Sequence, residues 1–144
     1  MYISTKVIQQ MINLDTVTAI AFIAENYPIR SLLRQYVNGQ EMVITQTAFA
    51  EFTNIVKTVG KLSEQTRANR LLQRLTIIPD NPSPRALNLR PTRKLGRNDI
   101  IILGTGDKLG IVTTTADAKA VRAASAQGVN FDVYIHQPFP LTGN

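Results

Sequence analysis

The chain has 144 residues, 44% hydrophobic and 18% charged, enough for one domain with a sizeable apolar core and too apolar for a disordered chain. It has no cysteine, which excludes a disulfide framework, a thiolate nucleophile and a cysteine zinc site, and a single histidine, His136, which excludes a histidine-rich metal site. The net charge of +6 is concentrated in the middle third. Residues 57–97 hold ten basic and two acidic side chains, whereas the stretches before and after each carry one excess negative charge.

Residues 11–14 (MINL) form a short apolar run that reads as a first strand, with Asp15 at its carboxyl end. Residues 16–25 read as a helix with Thr16 as its cap, broken at Asn26-Tyr27-Pro28 because a proline disfavours helix at the residue before it. Residues 29–37 are amphipathic and close at Asn38-Gly39. Residues 41–45 (EMVIT) are a second strand, and residues 46–59 a third helix with an apolar stripe of Ala48, Phe49, Phe52, Ile55, Val56 and Val59. Glu51 lies at the border of that stripe. Residues 61–75 form a more polar helix with leucines inside and arginines outside, and 75–78 a third strand.

Residues 79–97, PDNPSPRALNLRPTRKLGR, hold four of the seven prolines and five basic residues, which predicts a long loop with one helical turn near 85–89. A helix begins at Asp99 and is expected to end or bend at Gly104 and Gly106. Residues 110–115 (GIVTTT) are the fourth strand, 116–127 a helix and 131–135 a last strand. Asp107, in Gly106-Asp107-Lys108, reads as a structural turn residue, and His136 as a surface or packing histidine. Strands alternating with helices imply an α/β fold on a mostly parallel sheet. No signal peptide follows Met1, and the apolar run 16–24 is too short to cross a bilayer, so no membrane attachment and a cytoplasmic location are expected.

The acids carry the chemistry. Asp15 ends strand one, Glu51 sits in the helix after strand two, Asp99 opens the helix before strand four, and Asp117 follows strand four. In a parallel sheet all carboxyl ends share one edge, where these four can meet. Clustered carboxylates repel unless a cation neutralises them, and oxygen-only ligands select Mg²⁺ or Mn²⁺. Such ions support in-line attack on a phosphodiester, and Arg90, Arg93, Lys94 and Arg97 would hold the phosphates. Structural readings stand beside these: Asp99 and Asp117 also suit the first turn of a helix, and the basic stretch also suits a solvated surface.

Four motifs bear a family resemblance: Asp15-Thr16, the run 47–52 (TAFAEF), the run 99–104 (DIIILG) and the run 113–117 (TTTAD). In order and spacing the chain resembles the PIN-domain proteins, the fold of many toxin–antitoxin ribonucleases, over residues 8–136. The resemblance implies a three-layer α/β/α domain spanning 1–144, with a mostly parallel sheet of four or five strands and the basic Pro-rich loop at 79–97. It implies an Mg²⁺- or Mn²⁺-dependent endoribonuclease in which Asp15, Glu51, Asp99 and Asp117 bind the metal. Thr115 would help to order a metal-bound water. An antitoxin-like protein partner and a homodimer are further expectations. Where the family usually has a full helix before the third acid, this chain has the Pro- and Arg-rich loop. A PIN-like RNA-binding module that does not cut, and a protein-interaction module that docks through the Arg-rich loop, are the alternatives.

Overall fold

The inner strands of a parallel sheet are buried on both faces, and three such strands are flanked here by two partly exposed edge strands. A computed structural model describes residues 10–138. Its strands are β1 (Met11–Leu14), β2 (Glu41–Thr45), β3 (Leu75–Ile78), β4 (Val112–Thr115) and β5 (Val133–Ile135), in the spatial order β3-β2-β1-β4-β5. Every pair is parallel, where the sequence predicted a mostly parallel sheet. The helices are α1 (Thr16–Ile23), α2 (Tyr27–Val37), α3 (Gln46–Val59), α4 (Leu62–Leu72), α5 (Pro84–Leu87), α6 (Arg97–Leu109) and α7 (Ala118–Ala126). The chain runs outward from β1 to β2 and β3 on one side, then returns to lay β4 and β5 on the other. The strand order therefore reverses between β1 and β4, and a crevice opens at their carboxyl ends.

The two-residue period of the strands divides the interior. Ile12, Leu14, Met42 and Ile44 enter one apolar cluster with Ala19, Ile23, Leu33, Phe52 and Leu71 from α1 to α4. The α3 stripe ends at Val56, because Val59 is exposed. A second cluster joins Ala86, Leu89, Leu95, Ile100, Leu103, Ala124 and Phe131. The Pro-rich segment is thus tied down rather than loose. Leu89 and Leu95 are buried, Thr92 and Leu95 bond to each other, and the backbone of Arg90 is clamped in both directions by the Gln127 side chain at 2.9 Å.

Gly104 and Gly106 do not end the helix, as the sequence suggested; α6 runs through both to Leu109 and stops at Gly110 in the left-handed conformation (φ 70°). The two glycines face opposite sides of α6, and each admits a close neighbour. A Cβ on Gly104 would meet Ala86 and Pro82 at 2.7 Å, and one on Gly106 would meet Thr113 Oγ1 at 2.2 Å. There the helix rests on the sheet, with Asn13 Nδ2 donating to Ile102 O (3.1 Å) and Thr113 Oγ1 (3.0 Å). Asp107 lies in the last turn of α6, not in a loop, and takes a two-pronged bond from Arg85 (2.8 and 2.7 Å) and one from Ser83 (2.6 Å). Its role is structural, as read.

Because Thr113 and Asn13 are short, buried and bonded, they have little room to withdraw. Gly106→Ala should destabilise the fold by about 1–3 kcal/mol, and a thermal melt that is unchanged would show that α6 can lift off the sheet.

Candidate active site

Three of the four site acids stand at the start of a helix. Asp15 directly follows β1 and caps α1, its Oδ1 accepting from Thr18 N at 2.7 Å; the cap is therefore Asp15, not Thr16. Asp117 follows β4 and caps α7 through Ala120 N (3.0 Å). Asp99 lies in the first turn of α6 and reaches back to Gly96 N (2.9 Å), with Gly96 in the cap position. Glu51 is in the second turn of α3.

These elements converge. Asp15, Glu51, Asp99, Thr115 and Asp117 all line one cleft of about 300 Å³ at the carboxyl edge of the sheet, with Ile55, Ile102 and Leu103 among its apolar lining. The structure thus brings together all five residues singled out in the sequence for this site. Among the described residues no three acids stand close enough, in this conformation, to hold one ion by themselves.

The cleft is costly to charge. Burial pushes the Asp15 carboxyl up to about 6, with Asp99 adding a small like-charge effect; hydrogen bonds from Thr115 and Thr18 oppose the shift. Asp99 is raised in the same way, first by burial and then by Asp117 and Glu51, against the Gly96 bond. Like charge thus acts across the cleft, from Asp99 on Asp15 and from Asp117 and Glu51 on Asp99.

The sequence reading missed the residues that orient these acids. Thr16 Oγ1 donates to Glu51 Oε1 (2.5 Å), and Asn98 Nδ2 donates to Glu51 Oε2 (2.7 Å), so both carboxylate oxygens of Glu51 are held from α1 and α6. Thr115 Oγ1 accepts from Asp117 N (2.9 Å) while its hydroxyl faces Asp15. His136 is a packing residue, as expected, yet not a surface one. It is buried, with Nε2 against Thr18 Oγ1 (2.7 Å) and Nδ1 against Gln137 O (2.8 Å). Thr16 and Asn98 are adjacent in sequence to Asp15 and Asp99, which was the available signal; His136 gave none. Of the basic residues, Arg90, Arg93, Lys94 and Arg97 are all exposed. Arg97 opens α6 two residues before Asp99, and none of the four is among the residues that line the cleft.

Residues 12–144 match the profile of a family described as "Protein of unknown function (DUF1308)". The chain belongs to the DUF1308 family. Its fold is the PIN-domain fold. VapBC2 from Rickettsia felis, solved bound to a DNA fragment from its promoter, matches with a TM-score of 0.62 at 18% identity, over 88% of this chain and 98% of that one. DNA-bound VapBC from Salmonella typhimurium matches at 0.58 and 18%, over 90% and 98%. A domain of a functionally unknown protein from Methanocaldococcus jannaschii matches at 0.57 and 14%, over 94% and 96%. Similarity at this level establishes the shared fold.

In this DUF1308 chain the raised Asp15 carboxyl has a signed consequence. The folded form keeps its proton up to about pH 6, whereas an unfolded aspartate loses it near its ordinary value of 3.8. Between those limits the native state binds more protons, so stability falls as pH rises through that window and is flat above it. Asp15→Asn keeps an oxygen for the Thr18 cap and removes the charge. We expect it to gain ~1–3 kcal/mol over the parent at pH 8 and to lose that advantage near pH 4. Equal melting temperatures at pH 8 would contradict this account.

Proposed function

We propose that the chain is a metal-dependent ribonuclease in which Asp15, Glu51, Asp99 and Asp117 hold Mg²⁺ or Mn²⁺. The single observation carrying the reading is the convergence of four acids from four separate elements on one cleft at the sheet's switch point. The donor set suits a hard divalent ion: it is all oxygen, and its like charges are partly desolvated. It does not form a closed three-carboxylate cage, which accords with Mg²⁺ taking one or two carboxylates and keeping waters and phosphate oxygens as its other ligands. When bound, such an ion supplies charge neutralisation at the phosphodiester and a more acidic water for in-line attack.

The chain's own groups do the rest. Thr16 and Asn98 fix the direction of Glu51, and Thr115 holds Asp15 beside Asp117 and helps to order the attacking water. Arg97, with Arg90, Arg93 and Lys94, takes the phosphates on either side of the bond that breaks. In keeping with its fold, the protein acts on RNA, in the cytoplasm, and meets an antitoxin-like protein that would cover the cleft; two of its structural neighbours are VapBC assemblies bound to DNA. A homodimer is part of the same proposal.

One observation favours a second reading, a PIN-like module that binds RNA without cutting. Asp15, Asp99 and Asp117 each spend an oxygen on a backbone N–H, and both Glu51 oxygens are bonded. That module would bind RNA with affinity falling steeply in salt and surviving loss of Asp117.

The test is cleavage of a mixed RNA pool with and without Mn²⁺ by the parent and by Asp15→Asn/Asp117→Asn. Manganese-dependent cleavage at least 100-fold weaker in the double variant is expected. Cleavage at parental rate in that variant removes these acids from the site, and salt-sensitive binding without cleavage moves the assignment to the binding module. Asn98→Ala should slow cleavage roughly 10-fold, because Glu51 loses a charge-assisted bond of about 1–2 kcal/mol; an unchanged rate would separate Glu51 from the chemistry.

A further inference from the structure

A second cleft lies well away from the acidic one. On the far side of the molecule, at the amino edge, α2 and α4 flank a cleft of about 370 Å³ lined by Arg30, Arg34, Arg67, Arg70 and Arg74. The volume lies within the range of small-molecule sites. Its position follows from its lining: Phe22 near the end of α1, Met42 at the start of β2, and Arg74 just before β3. Helical spacing builds it. Arg30 and Arg34 lie four residues apart on α2, and Arg67, Arg70 and Arg74 follow at intervals of three and four along α4 and just beyond it. Two rows of guanidinium groups thus border a floor of Phe22, Val37, Met42 and Leu71.

The charge here is not balanced. Arg67 is paired with Glu25 and also donates to Ile23 O (2.8 Å). Among the described residues Arg34, Arg70 and Arg74 have no salt bridge. Arg30 bonds Ala24 O through Nη1, yet its Nε is buried with no hydrogen-bond partner. A buried guanidinium donor without a partner is a rare and costly feature. Burial, then the neighbouring charges of Arg67 and Arg34, hold the Arg30 guanidinium below its ordinary value, so these cations repel one another. At the mouth stands Tyr27, 62% exposed, with the guanidinium groups of Arg30 and Arg34 each 5.7 Å from its ring centre.

We propose that this cleft is a second nucleic-acid contact, taking the phosphates of single-stranded RNA between the arginine rows and a base on the Tyr27 ring. Arginine forks match phosphate oxygens. An exposed aromatic ring flanked by cations is the platform on which an unpaired base stacks, and a duplex cannot offer that base. A simple anion would use the arginines and leave the tyrosine idle; an acidic peptide would do the same. The choice of RNA over DNA rests on the ribonuclease reading, whereas the site itself does not. The two clefts have opposite charge and lie at opposite edges of the sheet, so this one acts as a holding site and not as part of the catalytic centre.

The test is fluorescence anisotropy with a labelled mixed-sequence 12-nucleotide RNA in EDTA, so that binding is read without cleavage. Arg34→Gln/Arg70→Gln/Arg74→Gln should bind at least 10-fold more weakly, with a salt slope reduced by about 2, since roughly 0.7 counterions are released per single-strand phosphate contact. Tyr27→Ala should weaken binding about 5–30-fold with the slope unchanged. Lys57→Gln/Lys108→Gln/Arg122→Gln removes the same charge from elsewhere on the surface and should lose less than 3-fold. Equal losses in both triple variants, full binding by the arginine triple variant, or tighter capture of labelled poly-glutamate than of RNA would each overturn the proposal. Its failure is distinguishable from that of the nuclease: a parent that binds through these arginines but never cuts keeps this site and loses only the chemistry.

Discussion

Parallel pairing of β1 with β4 is the constraint on which the rest depends. It joins Ile12 to Val112, Asn13 to Thr113 and Leu14 to Thr114, residues a hundred positions apart. The contact is unusually polar for the middle of a sheet. Thr113, Thr114 and Thr115 are all buried, and their side chains or carbonyls are tied to Asn13, Asp15 and Thr18. Such groups are tolerated inside only when bonded, so the pairing is specified by a set of partners and not by apolar contact alone. It brings the ends of β1 and β4 side by side, and with them Asp15 and Asp117.

The layout of the cleft carries an energetic tension. Burying carboxylates near one another opposes folding, and Asp15 shows this most plainly. The same side chains satisfy N–H groups at the starts of α1, α6 and α7. Those bonds offset part of the cost and place each acid with little freedom, which suits a site whose chemistry depends on position. The orienting bonds to Glu51 extend the pattern, since α1 and α6 both hold the one acid that caps nothing.

Much of this was legible in the sequence because it rests on short-range rules. Apolar runs of four or five residues marked the strands, and an acid after a strand marked Asp15 and Asp117. What escaped depended on neighbours distant in the chain. Gly104 and Gly106 look like helix breakers, yet they are small because Pro82, Ala86 and Thr113 press against them. His136 is unremarkable until β5 lies beside β4 and brings it to Thr18. The Pro-rich segment reads as free because the burial of Leu89 and Leu95 comes from a cluster built by α6 and α7. The arginines of α4 read as the outside of a polar helix; only the packing of α2 and α4 against α1 makes them one wall of a cleft.

The double duty of the acids bears on how this chain could drift. An aspartate that both starts a helix and serves a reaction cannot be exchanged freely, even in a lineage that has abandoned the reaction. Alanine at position 15 or 117 would leave amide groups unsatisfied at the first turn of α1 or α7, whereas asparagine or serine would keep an acceptor there and discard the charge. Decay of activity in relatives of this chain would therefore be recorded as neutral polar residues at these positions, with the helices intact and the cleft less acidic.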